Sequence, residues 1–222
     1  TNSNQTLILR DGVRLNSATT GTASLPFIDT TDIQQIEVLK GPASVLYGTD
    51  AIGGVVQLVS KTPEKNSAFV TGEIGENSTY KTLVGADLAE NGFYAQIRGQ
   101  HLETDGTPVK DSKNAPDAAF DQTGYSAKFG VEKEKYALSL DYSENEGNSQ
   151  YDNYGAVANQ DFKNEIVNIK GRVNLAPSVE VNARVSQFKD DIDQNDLNYL
   201  GTYDFVHSTT QEAELYGKWQ FT

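Results

Sequence analysis

The sequence predicts a mainly β protein whose strands form an antiparallel, membrane-crossing wall, and three observations predict it. Apolar and polar residues alternate with period two over eight long runs in the last 160 or so positions, the pattern of strands with one apolar and one polar face. The connections between these runs are alternately short and long after the first, as in transmembrane barrels. Aromatic residues (Tyr80, Tyr125, Tyr136, Tyr142, Trp219, Phe221) stand at the ends of the apolar faces, where interfacial girdles lie.

Composition agrees. Of 222 residues 37% are hydrophobic, too few for a conventional two-sided core, and 19 glycines against 6 prolines suit strands and turns. The mean hydropathy of −0.52 does not argue against a membrane, because barrel strands spend half their residues on a polar lumen. No window has the ~18 apolar residues of a membrane helix. The net charge of −13, with no clustered basic face, excludes nucleic acid as a partner. Absence of cysteine removes thiolate metal sites, disulfides and thiol nucleophiles.

Taken in order, the first 60 residues carry short aliphatic runs at 7–9, 33–39 and 55–59, separated by Gly, Thr, Ser and Asp. The stretch IEVLKGPASVLYGTDAIGGVVQLVS (36–60) reads as two strands, IEVL and VVQLVS, joined by a turn-rich connection containing Gly41, Gly48, Gly53 and Gly54. It is no phosphate cradle: Gly48 is followed by Thr49-Asp50 rather than Lys-Ser/Thr, and GxGxxG is absent. Charged neighbours Glu37, Lys40 and Asp50 either pair with the wall or stay solvated. Composition changes at Thr62-Pro63-Glu64-Lys65-Asn66. Alternating strands then run over 68–74, 80–88, 93–100, 125–132, 136–143, 167–175, 179–186 and 212–221. Glu90-Asn91-Gly92, 132–135 and Ala176-Pro177-Ser178 are tight turns; 101–124, 144–166 and 187–211 are long loops. A soluble sandwich also alternates, but its strands are usually about 5–6 residues long and its loops need not segregate by length.

The long loops are acidic. Asp105, Asp117 and Asp121 in the first, and Gln150, Tyr151, Asp152 and Asp161 in the second, offer the oxygen donors calcium takes; a merely solvated acidic surface is the alternative. KDDIDQND (189–196) lacks the glycine and terminal glutamate of an EF-hand and is read as a solvated loop. His101 and His207 are isolated and GxSxG is absent, so no catalytic residue is assigned and an enzyme is not expected.

LILRDGVRLN (7–16) followed by IEVLKGPASVLYGTDAIGGVVQLVSKTP (36–63) resembles the plug domain of TonB-dependent outer-membrane transporters. The resemblance implies an α/β plug lodged in a barrel of about 22 strands, with residues 1–63 as the C-terminal half of the plug, 64–222 as the first eight strands, and the chain as part of a longer protein. It assigns Gly41, Gly48, Gly53 and Gly54 a structural role in that confined sheet. It also implies active uptake of a scarce small-molecule nutrient across the Gram-negative outer membrane, coupled to TonB through a contact box outside this sequence. DGVRLN and GTDAIGGVV are most similar to the cobalamin transporters of the family. In those, positions matching Thr20 and Gly21 contact the ligand, and Asp105, Asp121, Tyr151, Asp152 and Asp161 match calcium-binding positions, although Ala119 and Thr123 stand where oxygen ligands are expected. No cofactor is required. Siderophore, haem and other metal-complex receptors share the plug motif, and a non-transporting surface barrel acting as a binding or adhesion module is the alternative from another class.

Overall fold

The structure, a computed structural model, describes residues 3–48, 50–108, 115–153, 156–196 and 202–220. Phe221, expected in the aromatic girdle, lies outside the described residues. Two sheets account for nearly all of the structure. The first contains β1 (Thr6–Arg10), β2 (Val13–Arg14), β3 (Ile33–Lys40) and β4 (Gly54–Ser60) in the order β2-β1-β4-β3, with β1 parallel to β4 and the other pairs antiparallel. A single helical turn, Ser44–Tyr47, sits in the glycine-rich connection between β3 and β4. Gly54 closes that connection at φ +146°, and a Cβ there would lie 2.5 Å from the Leu39 carbonyl oxygen. No other residue fits that approach without displacement.

The second sheet is an antiparallel meander of eight strands: β5 (Ser67–Ile74), β6 (Tyr80–Glu90), β7 (Phe93–Thr104), β8 (Phe120–Glu132), β9 (Tyr136–Asn153), β10 (Ala156–Ala176), β11 (Val179–Asp196) and β12 (Thr202–Trp219). The eight alternating runs are its strands. Its tight turns share one end; Asn91 and Gly92, at φ 52° and 77°, form the two-residue turn that Asn-Gly favours. The sheet is open, since β5 pairs only with β6 and β12 only with β11 among the described residues.

The second and third long loops require correction. β9 and β10 stay paired up to Asn153–Ala156, and β11 and β12 up to Asp196–Thr202, so most of 144–166 and 187–211 is strand. Asp121, Tyr151, Asp152 and Asp161 therefore lie on strands β8, β9 and β10, and most of KDDIDQND lies on β11 rather than in a loop. Above the apolar rows the outward positions turn polar and the inward row mixes Phe162, Ile166 and Phe188 with Asn164 and Asp190, so the period fades from the sequence while the backbone ladder continues.

One face of the wall exposes Val84, Leu88, Phe93, Ile97, Tyr125, Phe129, Tyr136, Leu138, Leu140, Tyr142, Ile169, Val185, Leu215 and Trp219. The opposite face packs on the small sheet. Ile8, Val13, Leu15 and Leu58 meet Ile166 and Phe188 of the wall in one cluster, while Leu7, Leu9, Ala43, Ala51 and Val55 form a second on the other side of β1. Both faces of β1 are thus buried, which explains its unbroken aliphatic run.

Candidate functional site

The small sheet is joined to the wall by buried polar side chains, and its loop 17–24 rises beside the long-strand end of β10–β12. Asn16, 1% exposed, holds that loop at its base: its Oδ1 accepts from the Ile8 amide at 2.8 Å, and its Nδ2 donates to the Thr6 and Gly21 carbonyls, both at 3.0 Å. Gly21 takes φ +71° and donates its amide to the Ser17 carbonyl at 2.8 Å. Thr20 is exposed, within 3.0 Å of the Thr22 hydroxyl, and lines a cavity of about 200 Å³ between this loop and β10, β11 and β12. Ser17 donates to the Ser208 hydroxyl of β12 at 3.3 Å, tying the loop to the wall.

Next along the small sheet, Phe27 inserts against the wall, stacked on Phe162 of β10 with centroids 4.1 Å apart. Its carbonyl accepts from Asn145 and, at 2.7 Å, from Asn164. Below it lies a charged layer. Arg10 donates to both Asp32 oxygens at 2.8 and 2.7 Å and to the Asp29 carbonyl at 2.8 Å. Asp11 accepts from the Ser60 amide at 3.0 Å and the Ser60 hydroxyl at 2.5 Å. Lys128 of β8 reaches the same Ser60 hydroxyl, the Lys61 carbonyl at 3.1 Å and Asp141 at 3.4 Å. Asp87 of β6 gathers Arg98 at 2.6 Å, Gln96 at 3.1 Å and Lys61 at 3.3 Å. Burial raises the Asp11 carboxyl, but Lys128, Lys170 and the Ser60 hydrogen bonds outweigh it and hold its pKa below the ordinary carboxylate value. Asp32 goes the other way: burial, with Asp29 and Asp11 nearby, outweighs Arg10 and raises it.

None of these charges was singled out from sequence. The available signal was a full charge at inward positions of amphipathic runs, such as Lys128 beside Phe129 and Asp141 between Leu140 and Tyr142, where an ordinary lumen face would be neutral or solvated. Their partners, 60 or more positions away in the case of Ser60 and Lys128, left no local trace. Of the charges weighed beside the glycines, Asp50 pairs with Arg14 of the same sheet, and it is Arg14 that reaches Glu212 of the wall, at 3.6 Å. Glu37 accepts from Gln35 at 2.9 Å on an exposed edge, and Lys40 is exposed. Gly41 (φ +95°) and Gly53 face each other across the connection by an amide–carbonyl bond of 3.3 Å, and Gly48 (φ +88°) ends the helical turn.

The acidic positions do not converge. Asp105 is exposed after β7; Asp121 lies opposite Asn148, which donates to Asp161 at 2.6 Å; Tyr151 and Asp152 pair with Ala158 and Val157 farther along the hairpin. Among the described residues no group of three or more His, Cys, Asp or Glu side chains stands close enough to hold a metal ion.

With this geometry in hand, the relatives are informative. Residues 1–55 match the family model described as TonB-dependent Receptor Plug Domain. A vitamin B12 transporter BtuB of Photobacterium profundum is 33% identical over 165 residues, 70% of this chain and 27% of that protein. Another, of Vibrio vulnificus, is 55% identical over 58 residues, 26% of this chain and 10% of that one. The chain thus spans about a quarter or less of the length of these curated relatives. Among solved structures, the copper transporter OprC superposes with a TM-score of 0.80 over 98% of this chain and 36% of its own, at 18% identity. The siderophore receptor PiuA from Acinetobacter baumannii gives 0.75 over 99% and 36%, at 17% identity, so both speak to the fold alone. Residues 1–55 are thus a plug domain of the TonB-dependent receptors, the eight-stranded sheet has the fold of the barrel wall in such receptors, and the chain is similar to the vitamin B12 transporters over 70% of its length.

Proposed function

We propose that the protein imports a scarce nutrient across the outer membrane in a step driven through TonB, and that the nutrient is cobalamin. The observation that carries this reading is the similarity to vitamin B12 transporters across 70% of the chain. In this reading residues 1–63 act as plug and 64–222 as wall, Thr20 and Gly21 contribute to the ligand surface at the plug apex, and no covalent chemistry takes place. The loop held by Asn16 presents hydroxyls to a cavity open to the long-strand end, which suits capture from outside. The charged layer of Arg10, Asp11, Asp32 and Lys128 keeps the plug seated until a pull from the periplasmic side weakens it. A metal-chelate receptor is the second reading, because the plug motif of residues 36–63 resembles that shared by receptors for such ligands as well.

The test is calorimetric titration of cyanocobalamin into the protein expressed from its complete gene and held in detergent, with and without calcium. Tight binding is expected, strengthened at least tenfold by calcium if Asp105, Asp121, Tyr151, Asp152 and Asp161 draw together around the ion. Tight binding indifferent to calcium keeps the cargo and removes the ion; no binding in either condition removes cobalamin and leaves the metal-chelate reading.

A further inference from the structure

The cavity at the plug apex has a chemistry that its neighbours in the fold do not explain. Asp190 of β11 points inward beside Asn164 and Ser208, its partners across the ladder, and is only 3% exposed. Neither partner is turned to it: Asn164 donates to the Phe27 carbonyl and Ser208 accepts from Ser17. Among the described residues the Asp190 side chain makes no hydrogen bond and no ion pair, its backbone alone being held in the ladder, and it lines the cavity of about 200 Å³. A buried carboxylate without a partner is destabilising unless something satisfies it.

The rest of the lining says what that something is. Hydroxyls of Ser17, Thr20, Thr22 and Ser24 come from the plug, and a second carboxylate, Asp204, comes from β12. Asp204 lies four residues from Ser208, so it stands roughly 14 Å along the strand from the level of Asp190. The inward row between them is apolar, with Ile192 opposite Val206. No lysine or arginine lines this cavity, whereas Lys170, Arg172 and Arg184 line another cavity toward the tight-turn end and Lys128 lies in the charged layer below Phe27. Anionic chelates are recognised by clustered Arg or Lys, and here the field has the opposite sign.

Resting on the uptake reading above, we infer that this cavity selects a neutral or cationic ligand that places an N–H donor, amide or ammonium, on Asp190 and an apolar body against Ile192 and Val206, and that it rejects polyanionic ferric chelates. A ligand carboxylate at the same point would face Asp190 with like charge, and a polyanion would add to that repulsion.

The experiment uses the protein from its complete gene in detergent at pH 7, as parent, Asp190→Asn and Asp204→Asn, the asparagine being isosteric and each barrel's integrity checked by heat-modifiable gel migration. Four probes are titrated: cyanocobalamin, its monocarboxylate derivatives in which one peripheral amide is hydrolysed, ferrioxamine B with its free ammonium group, and polyanionic ferric enterobactin. The parent is expected to prefer amide to acid at least tenfold, Asp190→Asn to narrow that preference below threefold, and ferric enterobactin not to bind. Tight cyanocobalamin binding with an amide-to-acid ratio unchanged in Asp190→Asn and Asp204→Asn overturns the inference and leaves the cobalamin reading standing. Failure of cyanocobalamin together with ferrioxamine B binding that weakens tenfold in Asp190→Asn does the reverse. Tight binding of ferric enterobactin by the parent overturns both.

Discussion

Asp11 joins the plug to its last strand through Ser60, and Lys128 of the wall converges on the same hydroxyl, so one carboxylate links three pieces of chain. Its folded pKa is lowered, so its stabilising contribution is complete above the unfolded value of about 3.9 and is lost as pH falls from there toward the folded value. Asp11→Asn should therefore destabilise the plug by about 2 kcal/mol at pH 7, the worth of a charged hydrogen bond, and the gap to the parent should narrow as pH falls below about 3.9. Thermal unfolding of both proteins from pH 3 to 7 checks this; a gap independent of pH would show that packing, not charge, is what Asp11 supplies. Asp32 cannot imitate the effect, because its raised pKa favours the native state at low pH rather than high. At this scale the sequence was least legible. The glycines of 41–54 stand in a contiguous motif and Thr20 was reached through the family resemblance, but Asp11, Lys128 and Asp190 acquire their meaning only from residues brought up by the fold.

Between residues and the whole, the turn at Leu25–Phe27 decides how the apical loop is set. Phe27 is 7% exposed and its ring lies nearly parallel to that of Phe162, which in turn stacks on Phe120 of β8 at 5.9 Å. Phe27→Ala should cost about 3–5 kcal/mol locally, as for other buried aromatics. Because β1 and β4 have their own core in Leu7, Leu9 and Val55, the loss should appear as undocking of 17–32 rather than unfolding of the plug. Hydrogen exchange resolves the two: faster exchange at Gly21, Phe27 and Ile28 with Val55–Leu58 unchanged is expected, and uniform acceleration would count against a separately docked turn. A double-mutant cycle with Phe162→Leu should recover about 0.5–1.5 kcal/mol of coupling. The strands themselves were legible wherever one face met lipid and the other the plug, as in Leu138/Leu140 against Ser139/Asp141. Beyond Tyr142 the outward positions become Glu144 and Glu146, bonded to Lys163 at 2.8 and 3.1 Å, while inward Asn145 is buried against Phe27. Polar residues on both faces read as loop, although the ladder runs on to Asn153.

Across the molecule, those same outward positions mark where the bilayer ends. On β9 the exposed apolar residues run from Tyr136 to Tyr142, on β8 from Tyr125 to Phe129, and on β7 from Phe93 to Ile97, and the register aligns them into one band across the sheet. Six residues of rise give roughly 20 Å along β9, close to the ~25 Å apolar height of outer-membrane barrels once flanking rows are included. Leu140 sits level with Phe129, Ile169 and Val185, in the middle of that band, whereas Lys163 sits level with Glu146 beyond it. A charge should therefore be costly at the first level and nearly free at the second. Leu140→Arg is expected to lower folding stability in lipid vesicles by about 2–4 kcal/mol, and exchange of the exposed Lys163 for Arg by less than about 1 kcal/mol. Both are read from denaturant-induced unfolding of the protein from its complete gene in vesicles. Detergent provides the counter-check, since a smaller penalty for Leu140→Arg in micelles would locate the cost in the lipid contact rather than in the strand. If Leu140→Arg proved as mild as the change at Lys163 in vesicles, the band would not be the membrane-facing surface, and the level at which Glu144 and Lys163 first appear would lose its meaning as the bilayer boundary.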